Sequence, residues 1–382
     1  MAHHIVVAGA GYGGLAAARR VAGRLRSHDV RVTLVNANDR FVERVRLHQL
    51  ATGQRLRDIP LRRVLDGTGA DLVVGHITAI DPAARVIRLG TPPYEIGYDT
   101  LVYALGSLAD VGTVPGVADH AFPVARADDA TRLRARLDEL ADGAPIAIVG
   151  GGLTGVETVA EVAETRTDLR VHLLTEGAAG GWLSDRARRY LHKALSRLNV
   201  TVHEHTAVAK VGAGELLTKD GEHLPFDAVV WAAGFQVPAL AAEAGLTVDV
   251  HGRLVVDATL RSVSHPEVYG VGDAAAALMP DGAVTRMSCQ AAIPMGVQAA
   301  DIIAARVEGR EPKPFGLRYV MRNISLGRRD GIIQFTHSDD SPRDIVLTGR
   351  TAAIVKEVIT SNAVRSLRHP NLVKVLGLDR GR

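Results

Sequence analysis

The 382-residue sequence contains a single cysteine, Cys289. One cysteine cannot form an intramolecular disulfide, so both a structural cross-link and a dithiol redox centre within the chain are excluded. We expect Cys289 to be a small buried residue and not the group that carries catalysis.

Long hydrophobic runs are also missing. No stretch approaches the roughly 20 uninterrupted apolar residues of a spanning helix, and the N-terminal residues lack the features of a signal peptide. The formal net charge of +3 is too small to indicate nucleic-acid binding. We therefore expect a cytoplasmic protein with no nucleic-acid partner. The histidines show no metal-ligand spacing, so we predict no metal site.

Aromatic residues are scarce, at 4%, whereas glycine is abundant, with 39 residues. Many glycines in a non-repetitive chain indicate tight turns and close backbone approach to ligands. Arginine is locally enriched from Arg40 to Arg63. We interpret most of this span as a solvated basic face, and phosphate or anionic-lipid contact stays open for a few of its members.

The segment "HIVVAGAGYGGLAAARR" predicts a strand, a tight turn and a helix. Gly9 permits the turn, Gly11 allows a pyrophosphate to approach the backbone, and Gly14 allows the helix and strand to pack closely. The helix N-terminus offers unpaired N–H groups to the phosphates. The next strand ends at Asn36, where an acidic residue usually binds a ribose.

The same pattern returns in "PIAIVGGGLTGVETVAEVAE", with Gly150, Gly152 and Gly155 after the strand Ile146–Val149. The following strand ends at Thr175 and Glu176. Two glycine-rich turns in an α/β protein without ligands are the alternative, but two matches in the correct context are far more specific than one. The sequence therefore predicts that the chain binds two dinucleotides.

The order of the later motifs resembles the FAD-dependent pyridine nucleotide-disulfide oxidoreductases. These motifs are "YDTLVYALGS" (98–107), "FDAVVWAAGFQVP" (226–238) and "HPEVYGVGDAAA" (265–276). The resemblance implies FAD at the first glycine-rich turn, NAD(P)H at the second, and contact between Asp273 and FAD. The alternative for Asp273 is an N-cap of a helix through the following alanines.

Within that superfamily the chain looks most like type II NADH dehydrogenases and apoptosis-inducing-factor-like flavoproteins. "VRLHQLATG" (45–53) falls where those enzymes have a loop near the flavin ring, and "GGGLTGVE" (150–157) resembles their nicotinamide-side turn. The resemblance implies that Glu157 lies near NADH; the alternative is an ordinary exposed glutamate in the first helical turn. Beside these motifs we also assign Gly13, Arg44 and Gly106 to cofactor binding.

The stretch "CQAAIPMG" (289–296) matches half of the glutamine signature that faces the quinone in type II NADH dehydrogenases. Gln290 matches the first glutamine, whereas Pro294 replaces the second and would kink or start a helix. We predict that Gln290, Glu157 and His48 act in catalysis, with His48 a proton donor because the usual pKa of histidine is near neutral. A structural histidine bonded to a backbone carbonyl is the alternative.

The expected fold class is α/β, with two Rossmann-like dinucleotide-binding domains and a C-terminal α+β domain. The predicted boundaries are 1–112 and 240–309 for the FAD domain, 113–239 for the NAD(P)H domain, and 310–382 for the C-terminal domain. The last would cover the flavin site or build a homodimer face. Two interpretations of its tail, from Val364 onward, stay open: peripheral contact with a membrane surface, and a terminal helix packed on its own domain.

The predicted function is hydride transfer from NAD(P)H through FAD to a quinone or small organic acceptor. Glu176 would repel a 2′-phosphate and so weakly favours NADH, although Arg186, Arg188 and Arg189 follow. A second hypothesis, favoured by Pro294, is a flavoprotein reductase or oxidase of a biosynthetic pathway or of a ferredoxin-like carrier. A third is a redox-responsive flavoprotein with little turnover.

Overall fold

The computed structural model describes residues 2–368, and the final part of the predicted tail lies outside these residues. The N-terminal segment forms β1 (His3–Ala8), α1 (Tyr12–Arg24), β2 (Val30–Asn36), α2 (Leu47–Ala51), α3 (Leu61–Leu65), β3 (Asp71–Val74), β4 (Ile77–Asp81), β5 (Val86–Leu89), β6 (Glu95–Gly97), β7 (Thr100–Tyr103) and β8 (Leu108–Ala109). A 3₁₀ turn, Arg44–Arg46, precedes α2.

The middle segment forms α4 (Val117–His120), β9 (Ala121–Pro123), α5 (Ala127–Glu139), β10 (Pro145–Val149), α6 (Leu153–Thr165), β11 (Arg170–Leu174), α7 (Asp185–Arg197), β12 (Thr201–His203), β13 (Val208–Gly212), β14 (Glu215–Thr218), β15 (His223–Pro225), β16 (Ala228–Trp231), β17 (Phe235–Gln236) and α8 (Leu240–Glu243). The last segment forms β18 (Leu254–Val255), β19 (Val268–Gly270), β20 (Ala275–Ala276), α9 (Cys289–Val307), β21 (Met321–Ser325), β22 (Gly331–Thr336), β23 (Pro342–Thr348) and α10 (Gly349–Arg368).

Two five-stranded parallel sheets carry the predicted glycine-rich turns. The first has the order β19-β7-β1-β2-β3 and the second β12-β11-β10-β16-β9. In the central strands, β1 is apolar and buried from Ile5 to Ala8 and β10 from Ile146 to Val149, as strands covered on both faces must be. Helices α1 and α6 follow these strands and bury most of their residues. The predicted α/β fold class is therefore confirmed.

The chain crosses between these sheets through an antiparallel pair of two-residue strands, β8 and β17. The first sheet takes its strands from residues 3–103 and from residues 268–270, on both sides of the second sheet in sequence. The domain boundaries at residues 112, 239 and 309 stay predictions.

The C-terminal segment forms an antiparallel sheet, β21-β22-β23, packed against α10 and α6. These strands and α10 all lie within residues 310–382, where the sequence predicts a C-terminal α+β domain. Val364 and Leu367, at the start of the predicted amphipathic tail, are buried in the core. Within residues 2–368, no helix is long and apolar enough to cross a membrane.

Candidate functional site

The first glycine-rich turn lies between β1 and α1, and its glycines are required by three different constraints. Gly9 has a φ of +101°, and a Cβ there would lie 2.5 Å from the carbonyl oxygen of Ala104. A Cβ on Gly14 would overlap the carbonyl oxygen of Gly9, whereas nothing lies within 4 Å of a Cβ on Gly11. The turn is therefore crowded on its protein side and open at the glycine where a pyrophosphate would approach.

The second turn, between β10 and α6, repeats this arrangement. Gly150 has a φ of +128°, and a Cβ there would lie 2.7 Å from the carbonyl oxygen of Ala232. A Cβ on Gly155 would overlap the carbonyl oxygen of Gly150, and nothing lies within 4 Å of a Cβ on Gly152. Both turns thus fit a dinucleotide in the same way, with open space at the middle glycine and N–H groups of a helix N-terminus beside it.

Gly13, the other glycine of the first turn, faces the protein. A Cβ on Gly13 would lie 3.0 Å from the carbonyl oxygen of Ala292, and a Cβ on Gly296 would overlap the carbonyl oxygen of Gly13. Gly13 and Gly296 therefore allow α1 and α9 to pack in close contact. The role of Gly13 shown by the structure is helix packing, and its contact with cofactor stays a prediction.

Asn36 ends β2 beside the first turn, and its side chain holds the backbone there. Its Oδ1 accepts a hydrogen bond of 2.9 Å from the N–H of Ala10, and its Nδ2 donates one of 2.8 Å to the carbonyl of Asn38. Both polar atoms of the side chain have protein partners, so Asn36 differs from a free ribose-binding carboxylate.

Three predicted cofactor contacts meet at one place. Asp273 Oδ2 accepts a hydrogen bond of 2.7 Å from the hydroxyl of Ser107 and lies 3.7 Å from Arg44 Nη1. Arg44 Nη1 also donates to Ser107 at 3.1 Å, next to Gly106. Asp273 belongs to a 3₁₀ turn, Gly272–Ala274, that leads into β20. The alternative of an N-cap for a following α-helix was therefore wrong.

Glu157 lies in α6, one turn after the second glycine-rich turn, and is buried. Its Oε1 accepts a hydrogen bond of 3.0 Å from the N–H of Ser325 and forms an ion pair with Lys356. Burial alone raises the pKa of Glu157, but the Lys356 ammonium, with smaller contributions from His48 and Ser325, holds the pKa below its ordinary value. The alternative of an exposed glutamate in the first helical turn was wrong.

His48 lies in α2 and is also buried, and its Nε2 has no hydrogen-bond partner among residues 2–368. Burial lowers the pKa of His48 to about 4, so the imidazole is neutral at pH 7. This value contradicts the near-neutral pKa on which the prediction of His48 as a proton donor was based. A neutral imidazole does not provide the charged donor that the prediction required.

Gln290 lies in the first turn of α9, where its Oε1 accepts a hydrogen bond of 2.8 Å from Arg286 Nη2. Arg286 in turn donates to Asp340 and stacks on the ring of Tyr319, with 4.7 Å from its Cζ to the ring centroid. Helix α9 begins at Cys289, so Pro294 does not start the helix but lies inside it. Cys289 is half-buried and not fully buried as expected, and desolvation of its thiol raises the pKa to about 11, which keeps it protonated.

A cavity of about 370 Å³ opens beside Arg286. Its aromatic wall consists of Trp182 and Tyr319, and Trp182 donates a hydrogen bond to the carbonyl of Gly151 in the second glycine-rich turn. The other lining residues include the apolar Met279, Val284 and Pro342 and the polar Arg322, Asp339, Asp340 and Ser341. The cavity therefore lies between the second turn, the start of α9 and the C-terminal sheet.

Glu176 follows β11 on the surface and forms an ion pair of 2.9 Å with Lys219. The arginine-rich span is exposed at Arg40, Arg55, Arg57, Arg62 and Arg63. Arg46 differs, because it is buried and forms ion pairs with Glu43 and Glu357.

Sequence reasoning missed Lys356, Glu161, Arg286 and Asp340. A signal existed for Glu161 alone, since it follows Glu157 by four residues and so lies on the same helix face. The partners from the C-terminal sheet and α10 could not be paired with α6 from sequence spacing.

The family model for pyridine nucleotide-disulphide oxidoreductases matches residues 3–296. An NADH dehydrogenase-like protein of Mycobacterium tuberculosis is 30% identical over 380 residues, covering 94% of each chain. A type II NADH:quinone oxidoreductase of Staphylococcus aureus is 27% identical over 393 residues, again covering 94% of each chain.

Solved structures share the fold. The sulfide:quinone oxidoreductase of Aquifex aeolicus matches with a TM-score of 0.82 and 20% identity, over 97% of this chain and 92% of that one. The structure of NDH2 from Plasmodium falciparum with NADH matches with a TM-score of 0.81 and 16% identity, over 100% of this chain and 99% of that one.

Proposed function

The chain belongs to the pyridine nucleotide-disulphide oxidoreductase family, and from that premise we propose that it is an NADH:quinone oxidoreductase that uses FAD. The observation that carries the proposal is the pair of glycine-rich turns. In each turn the first and last glycines lie against protein atoms, whereas the middle glycine faces open space. Relatives named NADH dehydrogenase-like protein and type II NADH:quinone oxidoreductase support it over nearly the whole chain.

FAD fits the first turn, which would bind its pyrophosphate through N–H groups at the start of α1. Asp273, held by Ser107 and Arg44, would bind the ribityl or pyrophosphate region. Bound FAD would supply the chemistry, taking a hydride from NADH and passing two electrons to the acceptor. The side chains therefore need to bind, orient and exclude water rather than form covalent bonds.

NADH fits the second turn. Glu176, which follows the end of β11, would accept hydrogen bonds from the adenosine ribose and repel the 2′-phosphate of NADPH. Glu157 lies in α6, which begins directly after Gly152, and forms a buried ion pair with Lys356 of α10.

The cavity beside Arg286 supports a small aromatic acceptor. Its volume, about 370 Å³, falls within the range of small-molecule sites, and Trp182 and Tyr319 offer ring surfaces to a planar quinone headgroup. Gln290 reaches the cavity only through Arg286, so we assign orientation of the acceptor to Arg286 and Gln290 together.

The test is an anaerobic titration of the purified, FAD-loaded protein with NADH and separately with NADPH. We expect one equivalent of NADH to bleach the flavin absorption and a quinone such as menadione to restore it. A flavin that NADH bleaches but that no quinone reoxidises would overturn the choice of acceptor. A flavin that neither nucleotide bleaches would overturn the whole proposal.

Two matched variants test the cavity itself. Val284→Trp adds a large ring to the lining of the cavity, whereas Val250→Trp adds the same ring at a position that is 95% exposed. We expect Val284→Trp to raise the KM for the quinone about tenfold, through about 1.4 kcal/mol of lost binding, without slowing bleaching by NADH. Equal quinone kinetics in the two variants would exclude the cavity as the acceptor site.

A further inference from the structure

The cavity beside Arg286 contains two guanidinium groups with one carboxylate between them. The Oδ2 atom of Asp340 accepts a hydrogen bond of 2.7 Å from Arg286 Nη1 and another of 2.7 Å from Arg322 Nη2. All three residues line the cavity, and the side chains of Arg286, Arg322 and Asp340 are 29%, 17% and 11% exposed. One negative charge therefore faces two positive charges in a partly buried place.

The other carboxylate of the lining offsets this positive excess only weakly. Asp339 is exposed, and its carboxylate accepts hydrogen bonds from the N–H and the hydroxyl of Ser341. Water screens an exposed charge far more than a partly buried one. Burial lowers the pKa of Arg286, Asp340 raises it again, and the charge of Arg322 lowers it further. The two guanidinium groups thus repel each other across the carboxylate.

The aromatic rings of the cavity hold both arginines in position. Arg286 stacks on Tyr319, and Arg322 stacks on Trp182 with 5.2 Å between its Cζ and the ring centroid. Among residues 2–368, the side-chain hydrogen bonds of Arg286 use Nη1 and Nη2, so its Nε–H has no protein acceptor. A positioned guanidinium with a donor to spare is the group that proteins use to bind carboxylates and other oxyanions.

The backbone of Asp340 shows that the carboxylate is held in place. Its φ is +71°, in the left-handed region that residues other than glycine uncommonly adopt. Arg322 Nη2 also donates a hydrogen bond of 3.2 Å to the carbonyl of Asp340. Such conformations persist where the surroundings fix them, and they are frequent where proteins clamp ligands. The two arginines and Asp340 therefore form one fixed group with a net positive charge.

The rest of the lining suits the body of a planar ligand. Met279, Val284 and Pro342 are apolar and lie in the same cavity as the two rings. Ligand sites commonly combine such apolar walls with a few polar groups that fix the orientation of the ligand. An aromatic ring against the apolar lining and a negative group against the arginines would use both parts of this cavity.

We propose that the cavity selects an acceptor whose ring carries an ionised acidic group, such as a quinone carboxylate, over a neutral quinone. The inference rests on the proposed function, because it specifies the acceptor of the same site. The acidic group binds Arg286 and Arg322 and is unchanged by the reaction. The quinone ring takes two electrons and one proton from the hydride of NADH, and a second proton from solvent, to become a hydroquinone.

The first test compares naphthoquinone with naphthoquinone sulfonate, which has the same rings and one negative charge. We measure the second-order rate at which each reoxidises prereduced flavin without oxygen, and take the ratio of the sulfonate rate to the neutral rate. The redox potentials of the two quinones differ, but this difference cancels when the ratio is compared between variants. We expect Arg322→Gln to lower the ratio about tenfold, or about 1.4 kcal/mol, and Arg322→Lys, which keeps the charge, to retain most of it.

The matched control is Arg343→Gln. Arg343 is exposed, directly follows the lining residue Pro342, and donates to His337, so the variant removes the same charge near the cavity but keeps both lining arginines. We expect an unchanged ratio. The same fall in Arg343→Gln and Arg322→Gln would assign the effect to general surface charge and overturn the proposal. Equal slowing of both quinones in Arg322→Gln would show a structural role and also overturn it.

A second readout needs no electron transfer. Isothermal titration calorimetry of the oxidised, FAD-loaded protein compares naphthoate with naphthamide, an uncharged analogue of nearly the same shape. We expect naphthoate to bind at least about tenfold more tightly, and Arg322→Gln to remove the difference. Equal affinities in the unsubstituted protein would overturn the preference for an anion. Failure of NADH to bleach the flavin would overturn the proposed function and the role of the ligand as acceptor, whereas the calorimetry decides independently whether the cavity binds the anion.

Discussion

Glu157 of α6 and Lys356 of α10 form a buried ion pair between the unit of the second parallel sheet and the C-terminal helix. Ser325 donates to the carboxylate, and Lys356 also donates a hydrogen bond of 3.2 Å to the carbonyl of Asn323. The pair therefore ties β21 and α10 to the helix that begins at the second glycine-rich turn. A charge in such a site is stable only while its partner is present.

Lys356→Met should be strongly destabilising. The substitution leaves the carboxylate of Glu157 buried without a counter-charge, and we expect the free energy of unfolding to fall by about 3–5 kcal/mol in urea denaturation. Lys313→Met, at an exposed lysine, makes the same chemical change and should cost less than about 0.5 kcal/mol. Similar losses in the two variants would contradict the pairing.

His48 should make the protein sensitive to acid. Its folded-state pKa, about 4, lies below the ordinary value of 6.5, so its contribution to stability is present above pH 6.5 and is lost as pH falls toward 4. Between about pH 7 and about pH 5 this loss amounts to about 2 kcal/mol. In His48→Gln, the drop in unfolding free energy over that interval should shrink by this amount, and an unchanged drop would contradict the buried neutral imidazole.

Gly11→Ala should weaken FAD binding without unfolding the protein. A Cβ at Gly11 meets no protein atom within 4 Å, so it would occupy only the space where the pyrophosphate approaches. We expect the Kd for FAD, measured by flavin fluorescence, to rise at least about tenfold, or about 1.4 kcal/mol. Gly23→Ala lies near the end of the same helix, is equally free of contacts, and should leave the Kd unchanged.

Glu176→Ala should shift the nucleotide preference toward NADPH. The change removes the repulsion of a 2′-phosphate and leaves the Lys219 ammonium, now 2.9 Å from the carboxylate, available to the phosphate. The ratio of kcat/KM for NADPH to that for NADH should rise about tenfold. Glu222→Ala, an exposed glutamate close in sequence to Lys219, is the control, and the same shift in both variants would assign the effect to general surface charge.

Local patterns in the sequence were enough to predict both turns and the fold class. A glycine between an apolar strand and a helix can be interpreted from local sequence alone, because the turn itself requires the positive φ of Gly9 and Gly150. The resemblance assigned Asp273, Arg44 and Gly106 to cofactor binding, whereas their proximity and the contacts with Ser107 became visible only in the structure.

The buried charges could not be predicted in this way, and α10 shows why. Ala352, Lys356 and Thr360 face the core, whereas Ile354 and Val358 are 62% and 53% exposed. Lys356 is a charged residue on the buried face, and it is stable there because it pairs with the carboxylate of Glu157, which comes from a distant part of the chain. Sequence spacing alone could not predict this pair.

The interruption of the first sheet by the second has a consequence for synthesis on the ribosome. Strand β19 and helix α9 complete the first unit, yet they are translated only after every strand of the second sheet. Domains fold as they emerge, N-terminal parts first. In this chain, however, the edge of β7 has no strand to pair with and α1 has no helix to pack on until β19 and α9 have been synthesised. The second unit can therefore mature first, and the proposed FAD site can be completed only after α9 has left the exit tunnel.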